Sequence, residues 1–183
     1  GLTNKEKKQK LATVIPEAVQ KVVRQGVQDY KLDSVRDLHA AYDDFVKALD
    51  NGQNSTISAA VARDKLARML QPVGILTDSD IKRVGAEGSL MARIDQLFAD
   101  TQGKLTKPNY DAMLTAANAL LESAQANMQP SINSITKTVT GMYRDLGVTE
   151  QEVLDYSMLK EYTEFPWKTK ARGWGNKPAS GAV

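Results

Sequence analysis

Aromatic and basic side chains alternate near the C-terminus, and they are the residues of this chain best suited to binding. Aromatic rings stack on bases and cations neutralise phosphates, so such a segment can hold single-stranded nucleic acid. Tryptophan, tyrosine and arginine also carry much of the binding energy of protein interfaces, and this second use is favoured. A tail that binds nothing is the remaining alternative. The predicted partner-binding residues are Tyr162, Phe165, Trp167, Lys168, Lys170, Arg172 and Trp174.

The residue types needed for catalysis or metal binding are scarce. The chain has no cysteine, which excludes a thiolate nucleophile and the usual sulfur-ligated zinc site. Its single histidine, His39, has no apparent nucleophile partner, so a boundary or surface position is favoured over a catalytic one. We therefore predict that the protein is not an enzyme and has no catalytic residues, metal or cofactor. An enzyme would need a partner chain to supply the missing groups.

Asp78 and Asp80 are separated by one residue, as acids are in a calcium-binding loop. The glycine and the closing glutamate of that motif are missing at the right spacing. Thr77 precedes both acids, and a hydroxyl followed by an acid three residues later is typical of the start of a helix. Helix capping is therefore favoured over calcium binding.

The charges of the chain are unevenly placed, although the formal net charge is only +2. The first ten residues carry four lysines and one glutamate, residues 160–183 carry five cations and two acids, and the middle is net negative. Basic ends of this kind can reach an acidic partner, another subunit or nucleic acid. The small total charge argues against broad binding of duplex DNA.

Apolar residues recur at intervals of three and four along most of the chain, which predicts α-helices. The clearest helix runs from about Asp33 to Asp50, and Asn51-Gly52 predicts a left-handed stop after it. Its apolar stripe comprises Val35, Leu38, Tyr42, Phe45 and Leu49. Ser55 or Thr56 is expected to cap the next helix. The apolar face of that helix is predicted to be Ile57, Val61, Leu66, Met69 and Leu70.

Four further helix signals lie in the rest of the chain. Pro16 can open an early helix, and Pro108 opens the longest one, which Pro130 is predicted to kink or end. Thr149 with Glu152 forms a capping box before a last short helix. Beyond residue 156 the helical spacing is lost, so we predict an extended arm that docks on a neighbour and buries its tryptophans there.

The middle of the chain resembles a helical segment of the internal, DNA-ejection or tail-associated virion proteins of tailed bacteriophages. The likeness covers roughly Asp33 to Ile132 and rests on an order of capped helices, with a turn at Leu105-Thr106 before a long alanine-rich helix. The residues at the first cap are Leu76, Thr77, Asp78, Asp80 and Ile81. The resemblance implies a structural protein and no catalytic residues.

These observations together predict an all-α helical bundle with an extended basic and aromatic C-terminal arm. The expected parts are a basic N-terminal arm over 1–15, a helical domain over 16–156 and the C-terminal arm over 157–183. The expected function is that of a non-enzymatic structural component of a bacteriophage virion, present in several copies and docked on other virion proteins. The alternative is a nucleic-acid-binding module that contacts the packaged genome. No membrane span is expected.

Overall fold

The computed structural model describes residues 1, 3–6, 9, 15–71, 74–85, 89–163 and 170–176. These residues form helices, turns and irregular segments without any β-strand, which confirms the all-α class. The helices are α1 (Ile15–Asp29), α2 (Asp33–Gly52), α3 (Thr56–Met69), α4 (Asp78–Gly85), α5 (Ser89–Asp100), α6 (Lys107–Met142), α7 (Glu150–Tyr156) and α8 (Leu159–Thr163), with a 3-10 turn at Arg144–Leu146. None of the helices in the described ranges is both long and apolar enough to cross a bilayer.

Contacts divide the chain into two compact units, where the sequence predicts one helical domain. The first unit comprises Gly1–Asp33 and Ala126–Pro166, and the second comprises Ser34–Gln125 and Trp167–Val183. The long helix α6 gives residues to both units. Buried apolar residues continue along α6 through both units.

The core of the second unit is built mainly from α2, α3 and α6. The stripe predicted on α2 is confirmed, since Tyr42, Phe45 and Leu49 are fully buried there. The Tyr42 hydroxyl donates a hydrogen bond of 2.6 Å to Oδ1 of Asn118 on α6. Other members of this core are Ala59, Ala62, Leu66, Leu90, Ile94, Met113, Ala117 and Leu120.

The apolar face predicted for α3 is partly wrong. Leu66 and Met69 are buried as expected, but Ile57 is 77% exposed and Val61 is 41% exposed. The inward positions near the start of α3 belong instead to Ala59 and Ala62. Small side chains let helices approach closely, and hydrophobicity read from sequence favours the larger residues over them.

Gly52 explains this close approach. The left-handed stop predicted at Asn51-Gly52 is wrong, because Gly52 is the last helical residue of α2 and is not among the positive-φ residues. A Cβ atom added at Gly52 would lie 3.0 Å from Cα of Ala59. The missing side chain therefore serves the packing of α2 against α3.

The predicted helix starts are confirmed. The Ser58 amide donates to Oγ of Ser55, which caps α3. Thr77 and Asp80 exchange hydrogen bonds before α4, since the Asp80 amide donates to the Thr77 hydroxyl and the Thr77 amide donates to the carboxylate. The capping box of Thr149 and Glu152 is complete in the same sense at α7.

Helix α6 continues through Pro130, so of the two predicted effects of this proline, a kink or a helix end, the helix end is wrong. A proline in a helix removes one main-chain hydrogen bond, here at an exposed position. The Ser131 hydroxyl donates to the carbonyl of Asn127 at 3.5 Å, one turn back along the helix. Ile132 and Ile135 are buried just beyond the proline, and this packing offsets the lost bond.

In the first unit α1 packs closely on the second half of α6. Val23 and Val27 are buried on α1, and a Cβ atom at Gly26 would lie 2.6 Å from Cγ1 of Ile135. The Tyr30 and Ser134 hydroxyls lie 3.0 Å apart and share a hydrogen bond.

The arm predicted from residue 157 is not extended at its start. Residues 159–163 form α8, with Leu159 and Tyr162 buried three positions apart on one face. The Tyr162 hydroxyl donates to the carboxylate of Asp33, within the same unit. The prediction of an extended arm is therefore wrong for α8, because a single turn of helix buries both side chains.

Candidate docking site for the C-terminal segment

Residues Lys170–Asn176, hereafter the C-terminal segment, are held on the second unit by their main chain. The Arg172 amide donates a hydrogen bond of 3.1 Å to Oδ2 of Asp50. The Gly173 amide donates one of 3.0 Å to the Tyr110 hydroxyl. Because both donors are peptide groups, this part of the attachment does not depend on which side chains the segment carries.

Gln53 holds the next part of the segment with both ends of its amide. Its Nε2 donates to the Gly173 carbonyl at 3.1 Å, and its Oε1 accepts from the Gly175 amide at 2.7 Å. Gly173 and Gly175 have φ of +89° and +85°, which side chains other than glycine rarely adopt. The main-chain amide of Asn176 closes the turn by donating to the Gly173 carbonyl. Glycines at positions 173 and 175 thus allow the backbone conformation that brings the Gly173 carbonyl and the Gly175 amide to Gln53.

The receiving side chains come from two helices of the unit and lie below the surface. Asp50 stands near the end of α2 and is 6% exposed, while Tyr110 stands in the first turns of α6 and is 1% exposed. The Tyr110 hydroxyl donates to Oδ1 of Asp50 at 2.6 Å, a hydrogen bond between two residues that both lie outside the segment. A buried carboxylate needs such donors, and all the more near the negative end of a helix.

Trp174 makes the one ring contact between the segment and this site. Its ring centroid lies 5.8 Å from that of Tyr110 with an interplanar angle of 63°, an edge-to-face geometry. The residue remains 37% exposed. The sequence predicts that the tail buries its tryptophans on a neighbour, whereas Trp174 is partly covered by the chain's own Tyr110.

The structure separates the residues predicted to bind a partner. Lys170, Arg172 and Trp174 belong to the C-terminal segment, whereas Tyr162 is buried in α8 of the first unit. The predicted residues Phe165, Trp167 and Lys168 lie outside the described part of the chain. Their role in binding a partner stays a prediction.

Sequence reasoning missed the receiving residues Asp50, Gln53 and Tyr110. One signal was present, since Asp50 follows the apolar stripe of α2 at a position where a carboxylate is unfavourable for the helix dipole. Such a residue calls for donors from elsewhere in the fold. Gln53 and Tyr110 carry no comparable signal.

The pKa values of two buried tyrosines are raised above that of free tyrosine. For Tyr110 the main cause is burial, followed by the hydrogen bond to Asp50 and by its charge, while the Gly173 amide acts in the opposite direction. For Tyr42 burial again comes first, and the charges of Asp43 and Asp50 add to it. Both phenols therefore keep their protons in the folded state at a pH where an unfolded chain would lose them.

We expect this difference to make the protein less stable in alkali. Below about pH 10 neither state ionises its tyrosines, and above it the unfolded state loses protons first, so the free energy of unfolding falls as the pH rises. Tyrosinate absorbance should show Tyr42 and Tyr110 ionising only as the fold is lost. Tyr110→Phe should lower by one the number of tyrosines that ionise together with unfolding. A single early ionisation of all six would contradict the prediction.

Other candidate groups are less complete. His39 is buried on α2 rather than at a boundary or on the surface, with Nδ1 3.5 Å from Oδ2 of Asp43 one turn away. Across the described ranges no three acidic or histidine side chains are grouped as metal ligands would be. In the first unit, α1 and α6 line a shallow groove of about 410 Å³ that includes Lys21, Tyr30 and Thr138.

The geometry of the docking site suits a short peptide. It accepts the main-chain amides of Arg172, Gly173 and Gly175, holds a turn with two positive-φ glycines and offers one aromatic ring. No protein-family model matches the chain, and neither a curated protein nor a solved structure is significantly similar to it.

Proposed function

We propose that the protein is a non-enzymatic structural component of a bacteriophage virion and that its C-terminal segment docks it on neighbouring subunits. The virion assignment rests on the resemblance of residues 33–132 to a helical segment of phage virion proteins. The docking role rests on how the C-terminal segment is attached.

The observation that carries the proposal is the contrast between a fixed main chain and exposed side chains. Peptide groups of the segment hold it on buried residues, while Lys170 and Arg172 are exposed and Trp174 is 37% exposed. Arginine and tryptophan are the residues enriched at interface hot spots. A partner that meets them in a fixed arrangement avoids much of the cost of ordering a free tail.

A second exposed surface supports contact with other proteins. Ile57 and Val61 lie one turn apart on α3 and are 77% and 41% exposed, and Ala60 beside them is exposed as well. Large aliphatic side chains grouped on a helix surface are typical of protein contacts. Repeated copies in a symmetric assembly would cover such a surface.

The proposal is tested by the amount of protein recovered in assembled particles. A full chain with Arg172→Ala and Trp174→Ala should be incorporated at least about tenfold less than the natural chain, because loss of hot-spot residues costs about 2 kcal/mol or more. Arg144→Ala with Tyr156→Ala is the matched control, since it removes an exposed arginine and an exposed aromatic ring elsewhere. Equal incorporation of both variants would refute docking through the segment.

The alternative function is binding of single-stranded nucleic acid. Two exposed cations, Lys170 and Arg172, lie within four positions of a partly exposed indole, which is the combination that such binding uses. Affinity for a single-stranded oligonucleotide should then fall steeply as salt rises, because phosphate contacts release counterions. Binding that does not change with salt would reject this alternative.

A further inference from the structure

We propose that the site formed by Asp50, Gln53 and Tyr110 also receives the C-terminal segment of a second copy of this chain, so that neighbouring copies exchange segments. This inference rests on the proposed docking function and adds a second way for the segment to join subunits, in which its main chain, and not only its exposed side chains, makes the contact.

The contacts of the site are the same whichever copy supplies the segment. The hydrogen bonds come from the Arg172, Gly173 and Gly175 amides, and the ring contact comes from Trp174. An element exchanged between identical copies makes the same contacts in the partner copy that it makes in its own chain. The exchange therefore needs no complementarity beyond what the monomer already has.

The segment is not itself part of the buried core. None of its seven residues belongs to the buried class, although Ala171 packs against the core cluster and the Trp174 ring contacts Tyr110, a member of that cluster. The receiving residues are different, since Asp50 and Tyr110 are almost fully buried. An empty site would leave Asp50 without the Arg172 amide and would uncover Tyr110, so the site favours being filled by some copy.

Connection and concentration decide which copy fills the site. The chain's own segment is covalently attached to the chain that carries the site, which gives it an effective concentration on the order of millimolar. In dilute solution the chain's own segment wins, whereas copies crowded in an assembly reach a comparable concentration.

The test separates the two halves of the site. Full chains with Trp174→Ala keep a normal site and a weakened segment, and full chains with Gln53→Ala keep a normal segment and a weakened site. Mixed in equal amounts at about 100 μM, below the effective concentration of an unweakened tether, they should form a dimer seen by sedimentation velocity. The dimer fraction should be at least about tenfold that of either variant alone, as for a hot-spot contact.

The matched control replaces the Gln53→Ala chain by one that also carries Trp174→Ala, so that no intact segment remains. This mixture should stay monomeric, and circular dichroism should show that every variant keeps its helices. As a second measurement, a synthetic peptide of sequence KARGWGN should bind the Trp174→Ala chain, and should bind a chain carrying both Trp174→Ala and Gln53→Ala at least about tenfold more weakly, as expected for loss of a hot-spot contact.

The outcomes distinguish this inference from the function on which it rests. If both mixtures stay monomeric and the peptide does not discriminate between the two chains, segment exchange is refuted. If the Arg172→Ala, Trp174→Ala chain is nevertheless lost from particles, the segment docks on a different protein and the proposed function stands. If that chain is incorporated normally, the proposed docking through the segment is refuted, whatever the mixtures show.

Discussion

Replacing Tyr110 with alanine should lower the free energy of unfolding of the second unit by about 3–5 kcal/mol, the usual cost of deleting a fully buried aromatic side chain. The loss has three parts, because Tyr110 packs in the core, donates to Asp50 and supports Trp174. Trp174 belongs to the second unit and its ring contacts Tyr110, so its fluorescence during urea unfolding reports on that unit.

Tyr110→Phe separates packing from hydrogen bonding at the same position. The ring stays in the core and against Trp174, but Asp50 loses a donor and the Gly173 amide loses its acceptor. We expect a loss of about 1.5–3 kcal/mol, as for hydrogen bonds to charged groups. Equal losses for the two variants would mean that the ring contributes nothing. An unchanged free energy of unfolding for Tyr110→Phe would mean that the hydroxyl does not stabilise the site.

Gly26→Val should lower the free energy of unfolding of the first unit by about 1–3 kcal/mol, the range for overpacked cores. The new Cβ would lie 2.6 Å from Cγ1 and 2.7 Å from Cδ1 of Ile135, which is itself buried and cannot move freely. Amide hydrogen exchange in α1 should become correspondingly faster. The measurement follows this unit alone.

Gly141→Val is the matched control in the same unit. An added Cβ at Gly141 meets nothing within 4 Å, and the residue is exposed near the end of α6. Valine is a better helix former than glycine, so a gain of less than about 0.5 kcal/mol is expected. If the two substitutions had the same effect, helix propensity and not the contact with Ile135 would govern Gly26.

Much of the helical architecture could be predicted because its determinants are local. A capping hydroxyl and an acid three residues later act within one turn. Thr77 with Asp80 and Thr149 with Glu152 therefore predict helix starts without any knowledge of packing. The stripe of α2 is likewise a property of spacing alone. The bounds of α2 were found to within two residues for the same reason.

The failures concern packing between elements that are distant in sequence. Pro130 reads as a helix end, and only the burial of Ile132 and Ile135 shows why α6 continues. The face of α3 was misassigned because Gly52 and Ala59 approach each other from different helices. Spacing says nothing about either contact.

The candidate site was half predictable for a related reason. Composition identified the exposed residues of the C-terminal segment, since Trp174 and Arg172 are conspicuous in sequence. It could not identify the receiving side, because Asp50 and Tyr110 are 60 positions apart and meet only through the packing of α2 on α6.

A site that grips peptide amides leaves the side chains of its occupant free to change. Natural variation within the segment should therefore be uneven. Position 170 can drift among many residue types, whereas positions 173 and 175 are confined to glycine by their left-handed backbone. The main-chain hydrogen bonds would then be kept when the partner changes. Related proteins could acquire a new binding specificity by changing only the exposed side chains of the segment.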